Sequence, residues 1–265
     1  MKIRGSFLLS KRQKIVTASV LLTFGLMVTQ NVNLFLRTRF IIGLTLFAFL
    51  VSMWALSEGL SRLKAFTLLL LPTLFTLGAT SFYFLLPIRW LTRLPVDIAF
   101  GLSIYFLLLS QNVFNVAATR TIPLYRAAST VTFLFTIFTA ILLFHCLRVF
   151  QLPFYWNGLA VFVITFLLSL PILWSVKMEE INAKLVAYSI CISIIITECT
   201  IALSFWPIPP VSLMWSIFLS SMLFVLLGLC LDHLKERVTK REVYLYFGFG
   251  SFSLLVVYFT TNWSL

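Results

Sequence analysis

The feature that most constrains this chain is a succession of nine apolar runs, each long enough to cross a bilayer as a helix. The runs cover residues 15–36, 40–57, 65–86, 96–116, 127–150, 155–175, 183–205, 211–231 and 244–262. A spanning helix needs about 20 apolar residues, whereas a barrel strand would show about ten residues of alternating polarity. We therefore expect an all-α polytopic transmembrane helix bundle of about nine spans, because a continuous apolar backbone must satisfy its own hydrogen bonds in lipid.

Composition excludes a soluble domain of useful size. Of the 265 residues, 61% are hydrophobic and 11% are charged, whereas soluble domains are about 25% charged. The connections between runs are short, which leaves a basic cytoplasmic tail at residues 1–14 and a single transmembrane domain at residues 15–265. The first run is longer than a signal-peptide core and no A-x-A-like site follows it, so we interpret it as a retained helix.

The distribution of basic residues predicts the orientation. Fifteen of the 20 Lys and Arg residues lie in the amino-terminal tail and the second, fourth, sixth and eighth connections, and five lie on the opposite side. The positive-inside rule then places the amino terminus in the cytoplasm and, with nine spans, the carboxyl terminus outside. The compact loops and short basic tail favour a bacterial plasma membrane.

The net charge of +12 does not indicate nucleic-acid binding, because the basic residues lie between apolar runs and not on one soluble face. The four cysteines lie inside apolar runs, and the Cys and His spacings match no metal site. Common hydrolase, metalloprotease and nucleotide-binding fingerprints are absent. We accordingly expect no cofactor and no metal, and lean towards a protein that is not an enzyme.

The first candidate site is an acid inside the seventh run. Glu198 lies in the predicted outer half of that run, and His145 and Arg148 lie near the outer end of the fifth. An ionisable group inside a span is costly and is by default a functional hypothesis. We predict that the three side chains share one depth, where they would form either a ligand or proton site or a packing contact that fixes two helices.

The second candidate site is at the inner surface after the fourth run. Gly101, Tyr105, Leu108, Asn112, Asn115 and Thr119 recur at intervals of four and three, which places them on one seam. Arg120 and Arg126 follow, and a guanidinium fork suits phosphate oxygens. Asn112, Asn115, Arg120 and Arg126 therefore form a candidate anion site, with amides that join helices and arginines that orient the chain as the alternative.

Two further features concern partners. The first run carries a similar polar seam, from Ser19 through Thr23 to Arg37, and both seams should face protein because amides in hydrocarbon need hydrogen-bond partners. In the connection 232–243, the four basic side chains of Lys235, Arg237, Lys240 and Arg241 are placed to contact anionic lipid headgroups.

Three classes of function fit these observations. The first is a non-enzymatic membrane protein, either an assembly partner of another membrane protein or a small transporter-like carrier. The second is a secondary transporter that uses Glu198. The third is a lipid-modifying enzyme around Arg120 and Arg126, which would require an acid or histidine beside those arginines.

Overall fold

The described part of the chain folds into nine helices. The computed structural model describes residues 10–29, 36–57, 62–87, 89–117, 124–176, 178, 181–210 and 212–261, the side chains of residues 62–64 and 117 excepted. Within these residues there is no strand. The helices are α1 (Lys11–Val28), α2 (Arg37–Ala55), α3 (Arg62–Tyr83), α4 (Trp90–Ala117), α5 (Tyr125–Val149), α6 (Phe154–Trp174), α7 (Ala183–Ser204), α8 (Met214–Leu234) and α9 (Lys240–Thr260).

Eight of these helices, α2 to α9, are long and apolar enough to cross a membrane. The chain is thus a multi-pass membrane protein, and the predicted all-α transmembrane bundle is confirmed. Helix α1 differs because its 18 residues include Lys11, Arg12 and Lys14 in the first turn. It nevertheless packs against α2 and α4 as part of the bundle.

Contacts between helix ends show that the helices alternate in direction. At one end, the amide of Asn115 near the end of α4 donates to the carbonyl of Leu56, which follows α2. At the same end, Tyr125 at the start of α5 bonds the carbonyl of Ser175, just after α6. At the opposite end, Arg93 near the start of α4 lies over the ring of Tyr83, the last residue of α3. We call the first end inner and the second outer, following the predicted orientation.

Helices α3, α5, α6 and α8 form the centre of the bundle. Helix α5 packs against α3, α4, α6 and α8, whereas α7 packs against α6 and α8 and α9 packs mainly against α8. The core is aliphatic and aromatic throughout, with Phe75, Trp215 and Leu223 among its fully enclosed side chains. Helices at the periphery of the bundle, such as α2 and α9, expose apolar side chains on the faces that do not pack against other helices, as lipid contact requires.

The two polar seams meet each other, a pairing more specific than the prediction that each faces protein. A Cβ added to Gly101 of α4 would lie 2.5 Å from the hydroxyl oxygen of Thr23 on α1, so the missing side chain allows the helices to approach closely. Ser19 of α1 and Asn115 of α4 are buried. The outer part of the α1 seam, from Gln30 to Asn33, lies outside the described residues.

Several helices begin before their predicted apolar runs, and α1 and α4 show two of the reasons. Helix α1 begins at Lys11 because Ser10 and Gln13 form a capping box that bonds both backbone amides. Its helical start therefore includes part of the predicted tail. Helix α4 begins at Trp90, six residues before the predicted run 96–116, and it contains Pro95. Pro95 lies in the second turn of α4, where it removes one backbone hydrogen bond. The residues added before the run bring Arg93 into the bundle, next to Asp97 of the predicted run.

Candidate functional sites at the two ends of the bundle

The outer end contains a buried polar cluster made of Tyr83, Arg93 and Asp97, which we call the outer cluster. Tyr83 is 0% exposed, Asp97 is 1% exposed and Arg93 is 4% exposed. The hydroxyl of Tyr83 donates a long hydrogen bond of 3.5 Å to Oδ2 of Asp97. The guanidinium carbon of Arg93 lies 4.9 Å from the centre of the Tyr83 ring. One tyrosine thus joins a buried cation to a buried acid.

Local sequence explains why these groups meet. Arg93 and Asp97 are four residues apart on α4, so their side chains project from one helix face. Both pack against the carboxyl end of α3, where the helix dipole favours positive charge. A second arginine, Arg37, lies over the ring of Phe84, 5.3 Å from its centre. The arginines of α2 and α4 therefore both stack on the aromatic pair that ends α3.

His145 and Arg148 occupy a different part of the outer end. His145 is buried with its ring centre 5.8 Å from that of Phe82, and its Nδ1 has no hydrogen-bond partner within the described residues. Arg148 donates from a terminal nitrogen to the carbonyl of Ile208 at 3.0 Å. Its guanidinium also lies 5.6 Å from the Trp215 ring centre. Arg148 thus fastens the loop between α7 and α8 to the end of α5.

Glu198 does not join these residues, which corrects the predicted convergence. Its side chain is exposed on α7, on the same face as Ile194 and Ile195. Helices α6 and α8 form the packing neighbours of α7, and α5 has no extensive contact with it. In the described part of the chain no ion pair connects Glu198 with Arg148. The two helices end on the same side, but sequence alone does not reveal which face of α7 points inward.

The inner end contains a basic pocket with a volume of about 440 Å³. Ligand sites for small molecules occupy roughly 300–1,000 Å³, so the volume suits a small anionic group. We call it the inner pocket. Its lining within the described residues consists of Tyr125, Arg126, Ser129, Thr130, Val176, Lys235 and Arg237.

The first wall of the inner pocket is the start of α5. Leu124 occupies the N-cap position and makes no side-chain cap hydrogen bond, so the first amides of α5 are not capped by that residue. Such a helix start carries partial positive charge and favours anions. The hydroxyl of Ser129 has no hydrogen-bond partner within the described residues. Tyr125 also lines this wall, and its hydroxyl donates to the carbonyl of Ser175 at 2.8 Å.

The second wall is the turn that ends α8. The backbone amide of Arg237 donates to the carbonyl of Asp232 at 2.9 Å, and the backbone amide of Glu236 donates to the carbonyl of His233 at 3.1 Å. This is the hydrogen-bond pattern of a Schellman motif. Glu236 takes the left-handed position with a φ of 55°, where glycine is usual. The turn places Lys235 and Arg237, on either side of Glu236, in the lining of the pocket.

The charges of the inner pocket are open to a ligand. Arg126 and Arg237 are exposed and Lys235 is half-buried. None of the three forms an ion pair with an acid in the described part of the chain. The described lining residues supply three cations and three hydroxyl groups and include neither a carboxylate nor an imidazole. Chemically, this arrangement suits binding of a phosphate-type anion.

The family of this chain is decided by a match over residues 24–260 to a family described as a protein of unknown function, DUF5656. The chain belongs to the DUF5656 family. The matched region reaches from the middle of α1 to the last residue of α9, so it includes both the outer cluster and the inner pocket. No curated protein and no solved structure matches the chain.

In this DUF5656 member, the residues predicted for the inner anion site fall into separate places. Arg126 lines the inner pocket. Asn115 is buried and donates to the carbonyl of Leu56 at 3.3 Å, which makes it a cap for the end of α2. Asn112 is half-buried and is not among the pocket residues, and Arg120 lies outside the described residues. Asn115 thus joins α4 to the end of α2, as in the predicted alternative for the amides, and Arg126 meets different partners.

Sequence reasoning missed the outer cluster and the pairing of Arg126 with the α8 turn. The signal for the outer cluster was present, because Asp97 lies inside the predicted fourth run with Arg93 four residues before it. For the inner pocket, Lys235 and Arg237 were expected to contact headgroups. Their proximity to Arg126, more than one hundred residues earlier, depends on the packing of α5 against α8.

Proposed function

We propose that this DUF5656 protein is a non-catalytic membrane protein that binds a phosphate-bearing anion in the inner pocket. The observation that carries the proposal is the convergence of Arg126, Lys235 and Arg237 on one cavity without an acidic partner in its described lining. The positive-inside rule accounts for basic residues at this end of the bundle, but it does not require three of them to line one cavity. The free hydroxyl of Ser129 and the amides at the start of α5 add donors for phosphate oxygens.

Binding is favoured over catalysis by the same lining. Phosphoryl or acyl transfer needs a general base, a nucleophile or a metal ligand set beside the bound anion. The described pocket residues include hydroxyl groups but no carboxylate or imidazole that could activate one of them as a nucleophile. A transporter centred on Glu198 is also disfavoured, because the exposed side chain of Glu198 lies on an outward face of α7.

The test compares two pairs of charge removals from the same loop. Lys235→Gln with Arg237→Gln removes two pocket cations, and Lys240→Gln with Arg241→Gln removes two exposed cations that do not line the pocket. Titration of the purified protein with glycerol phosphate and with vesicles containing phosphatidylglycerol would measure binding. Because hydrogen bonds to charged groups contribute about 1.5–3 kcal/mol each, we expect at least a tenfold loss of affinity in the first pair only.

Equal losses in the two pairs would show that affinity follows the general charge of the inner surface, and would contradict the proposed site. The proposal also predicts that glycerol or a zwitterionic vesicle without net negative charge does not compete for the pocket. Placement of the pocket on the cytoplasmic face of a plasma membrane is part of the same proposal. Cysteine labelling at position 237 in sealed cells tests that placement, with reaction from outside counting against it.

A second candidate function is assembly with another membrane protein through the outward face of α7. One observation favours it: Glu198 lies among the exposed side chains of Ile194 and Ile195, well within a span. A carboxylate in lipid costs a few kcal/mol unless a partner supplies a positive charge. The expected occupant is therefore a membrane helix that presents Lys or Arg at that depth.

Native mass spectrometry of the protein extracted from its own membranes tests this second function. We expect wild type to retain a membrane protein with a basic residue in a span, and Glu198→Gln to lose it. Glu236→Gln serves as the control because that exposed acid lies in a loop at the inner end. A complex of unchanged abundance in Glu198→Gln would contradict assembly through this face.

A further inference from the structure

The inner pocket continues into an apolar lane along α5. Arg126, Thr130, Leu134 and Phe138 follow one another at intervals of four, so they form one ridge of the helix. Arg126 and Thr130 line the pocket. Leu134 is 59% exposed and Phe138 is 46% exposed. We call the ridge from Thr130 to Phe138 the α5 lane, and its polar end lies within the pocket.

The lane ends abruptly, which separates it from an ordinary lipid-facing surface. Beyond Phe138, the residues of α5 are enclosed by the bundle, and the buried ones are Thr139, Ala140, Leu142, Leu143, Phe144, His145, Cys146 and Leu147. A helix that simply faced bulk lipid would stay exposed along its whole length. The open part of α5 therefore belongs to the inner half of the bundle alone.

The distance from Arg126 in the pocket to the end of the lane at Phe138 matches the depth of one leaflet. Twelve residues separate Arg126 from Phe138, and a rise of 1.5 Å per residue makes this about 18 Å. Half of the hydrocarbon core of a bilayer is about 15 Å thick. A headgroup bound at Arg126 would therefore place its acyl chain beside Leu134 and end it near Phe138.

Aromatic side chains border the lane on both sides. Towards α8 and α9, the Phe133 ring centre lies 5.4 Å from that of Phe224, which in turn lies 5.3 Å from Phe249. Towards α3, Phe138 lies 6.2 Å from Phe75. The rings of Phe133, Phe224 and Phe249 form an apolar wall on the α8 side, and on the α3 side Phe138 rests on the buried ring of Phe75. A methylene chain along these rings gains van der Waals contact that fluid lipid does not provide as consistently.

We infer that the ligand of the inner pocket is an entire anionic phospholipid of the inner leaflet, held by its phosphate in the pocket and by an acyl chain in the α5 lane. This inference rests on the proposed function, since it requires that the pocket bind phosphate. It adds the source of that phosphate and the direction from which the ligand arrives. The lipid enters laterally from the inner leaflet. A soluble phosphate compound lacks the contacts that the acyl chain makes with the α5 lane.

The experiment measures two ligands with two pairs of variants. The ligands are soluble glycerol phosphate and long-chain phosphatidylglycerol supplied in mixed micelles. Leu134→Ser with Phe138→Ser removes the apolar surface of the lane, and Phe252→Ser with Leu255→Ser removes similarly exposed apolar surface from α9 as a control. We expect the lane pair to weaken lipid binding by about tenfold or more. Its affinity for glycerol phosphate should not change, and the control pair should change neither affinity.

A second measurement does not depend on the variants folding. A phosphatidylglycerol probe with a photoreactive group in the middle of its chain should label residues 130–138 of the wild-type protein. Equal affinity of the wild type for the two ligands, or labelling confined to other helices, would overturn the lipid inference and leave the phosphate pocket intact. If neither ligand binds the wild type, the proposed function itself fails, and the inference fails with it.

Discussion

The two ends of the bundle both gather arginines, but they enclose them to different degrees. At the outer end, Arg93 is buried against Tyr83, and Asp97 lies four residues further on the same helix. At the inner end, Arg126 and Arg237 are exposed around an open cavity with no acid in its described lining. The outer charges are thus enclosed within the protein around Tyr83, whereas the inner charges are open to a ligand from outside it. The difference indicates a structural role for the outer cluster and a binding role for the inner pocket.

The largest expected effect is the removal of the buried cation at the outer end. Arg93→Met keeps most of the side-chain volume but removes the buried guanidinium that stacks on Tyr83, on the same helix face as the buried Asp97. Breaking a buried charge arrangement from one side typically costs about 3–5 kcal/mol. We expect a loss of that order in the free energy of unfolding, measured by denaturation in mixed detergent micelles.

Arg89→Met is the matched control, because Arg89 lies just before the same helix and is exposed. We expect it to change stability by less than about 0.5 kcal/mol, as surface substitutions usually do. Equal stability of the two variants would remove the contrast between the ends, since it would show that Arg93 is no more engaged than a surface arginine.

The second prediction concerns the scaffold behind the inner pocket. A Cβ added to Gly228 of α8 would lie 2.5–2.7 Å from the ring and hydroxyl of Tyr246 on α9. The Tyr246 hydroxyl also donates to Asp232 at 3.1 Å, one turn before the pocket loop. Gly228→Ala should therefore separate α8 from α9 and cost about 1–3 kcal/mol, as overpacking does. Thermal unfolding in detergent would measure the loss.

Gly248→Ala provides the comparison within α9, because nothing lies within 4 Å of a Cβ at that position. We expect it to be neutral or slightly stabilising, since alanine favours a helix over glycine. A Gly228→Ala protein as stable as wild type would mean that the α8–α9 contact is loose, and the pocket wall would then lack the firm support that ligand binding requires.

The transmembrane bundle was predictable because length and apolarity alone determine which segments cross a bilayer. Which face of each helix points inward was not predictable, since α7 carries polar residues both on its buried face, at Ser193 and Thr200, and on its exposed face, at Glu198. Glu198 was therefore located in the correct helix but assigned the wrong neighbours. Asp97 lay inside the predicted fourth run but was overlooked, because Arg93 was assigned to the connection before that run although it lies within α4.

Arg126 shows the same limit at the inner end. Its guanidinium was correctly singled out as an anion contact, but its expected partners were the amides of α4, which were close in sequence. Asn115 instead caps α2, and the partners of Arg126 come from the α8 turn. Local spacing thus identifies the chemistry of a residue, whereas tertiary packing selects its neighbours.

The smallest predicted effect concerns Glu236, and it tests whether the turn that positions Lys235 and Arg237 lowers the stability of the protein. Glu236 adopts a left-handed conformation between Lys235 and Arg237, and this conformation disfavours a side chain by about 1–2 kcal/mol relative to glycine, partly offset by the greater backbone entropy of glycine when unfolded. Glu236→Gly should therefore stabilise the protein by about 0.5–1 kcal/mol in mixed-micelle denaturation. Removing an acid beside the pocket should also raise its affinity for anions a few-fold.

Glu236→Gln separates the two contributions, because it removes the charge and keeps the side chain: it should raise affinity without adding stability. If Glu236→Gly instead lowered affinity, the turn would be holding Lys235 and Arg237 in place through the stiffness of a non-glycine residue. Anion binding in the inner pocket would then depend on a rigid backbone, as the outer cluster depends on its packing within the bundle. The two ends would differ only in how exposed their charged side chains are.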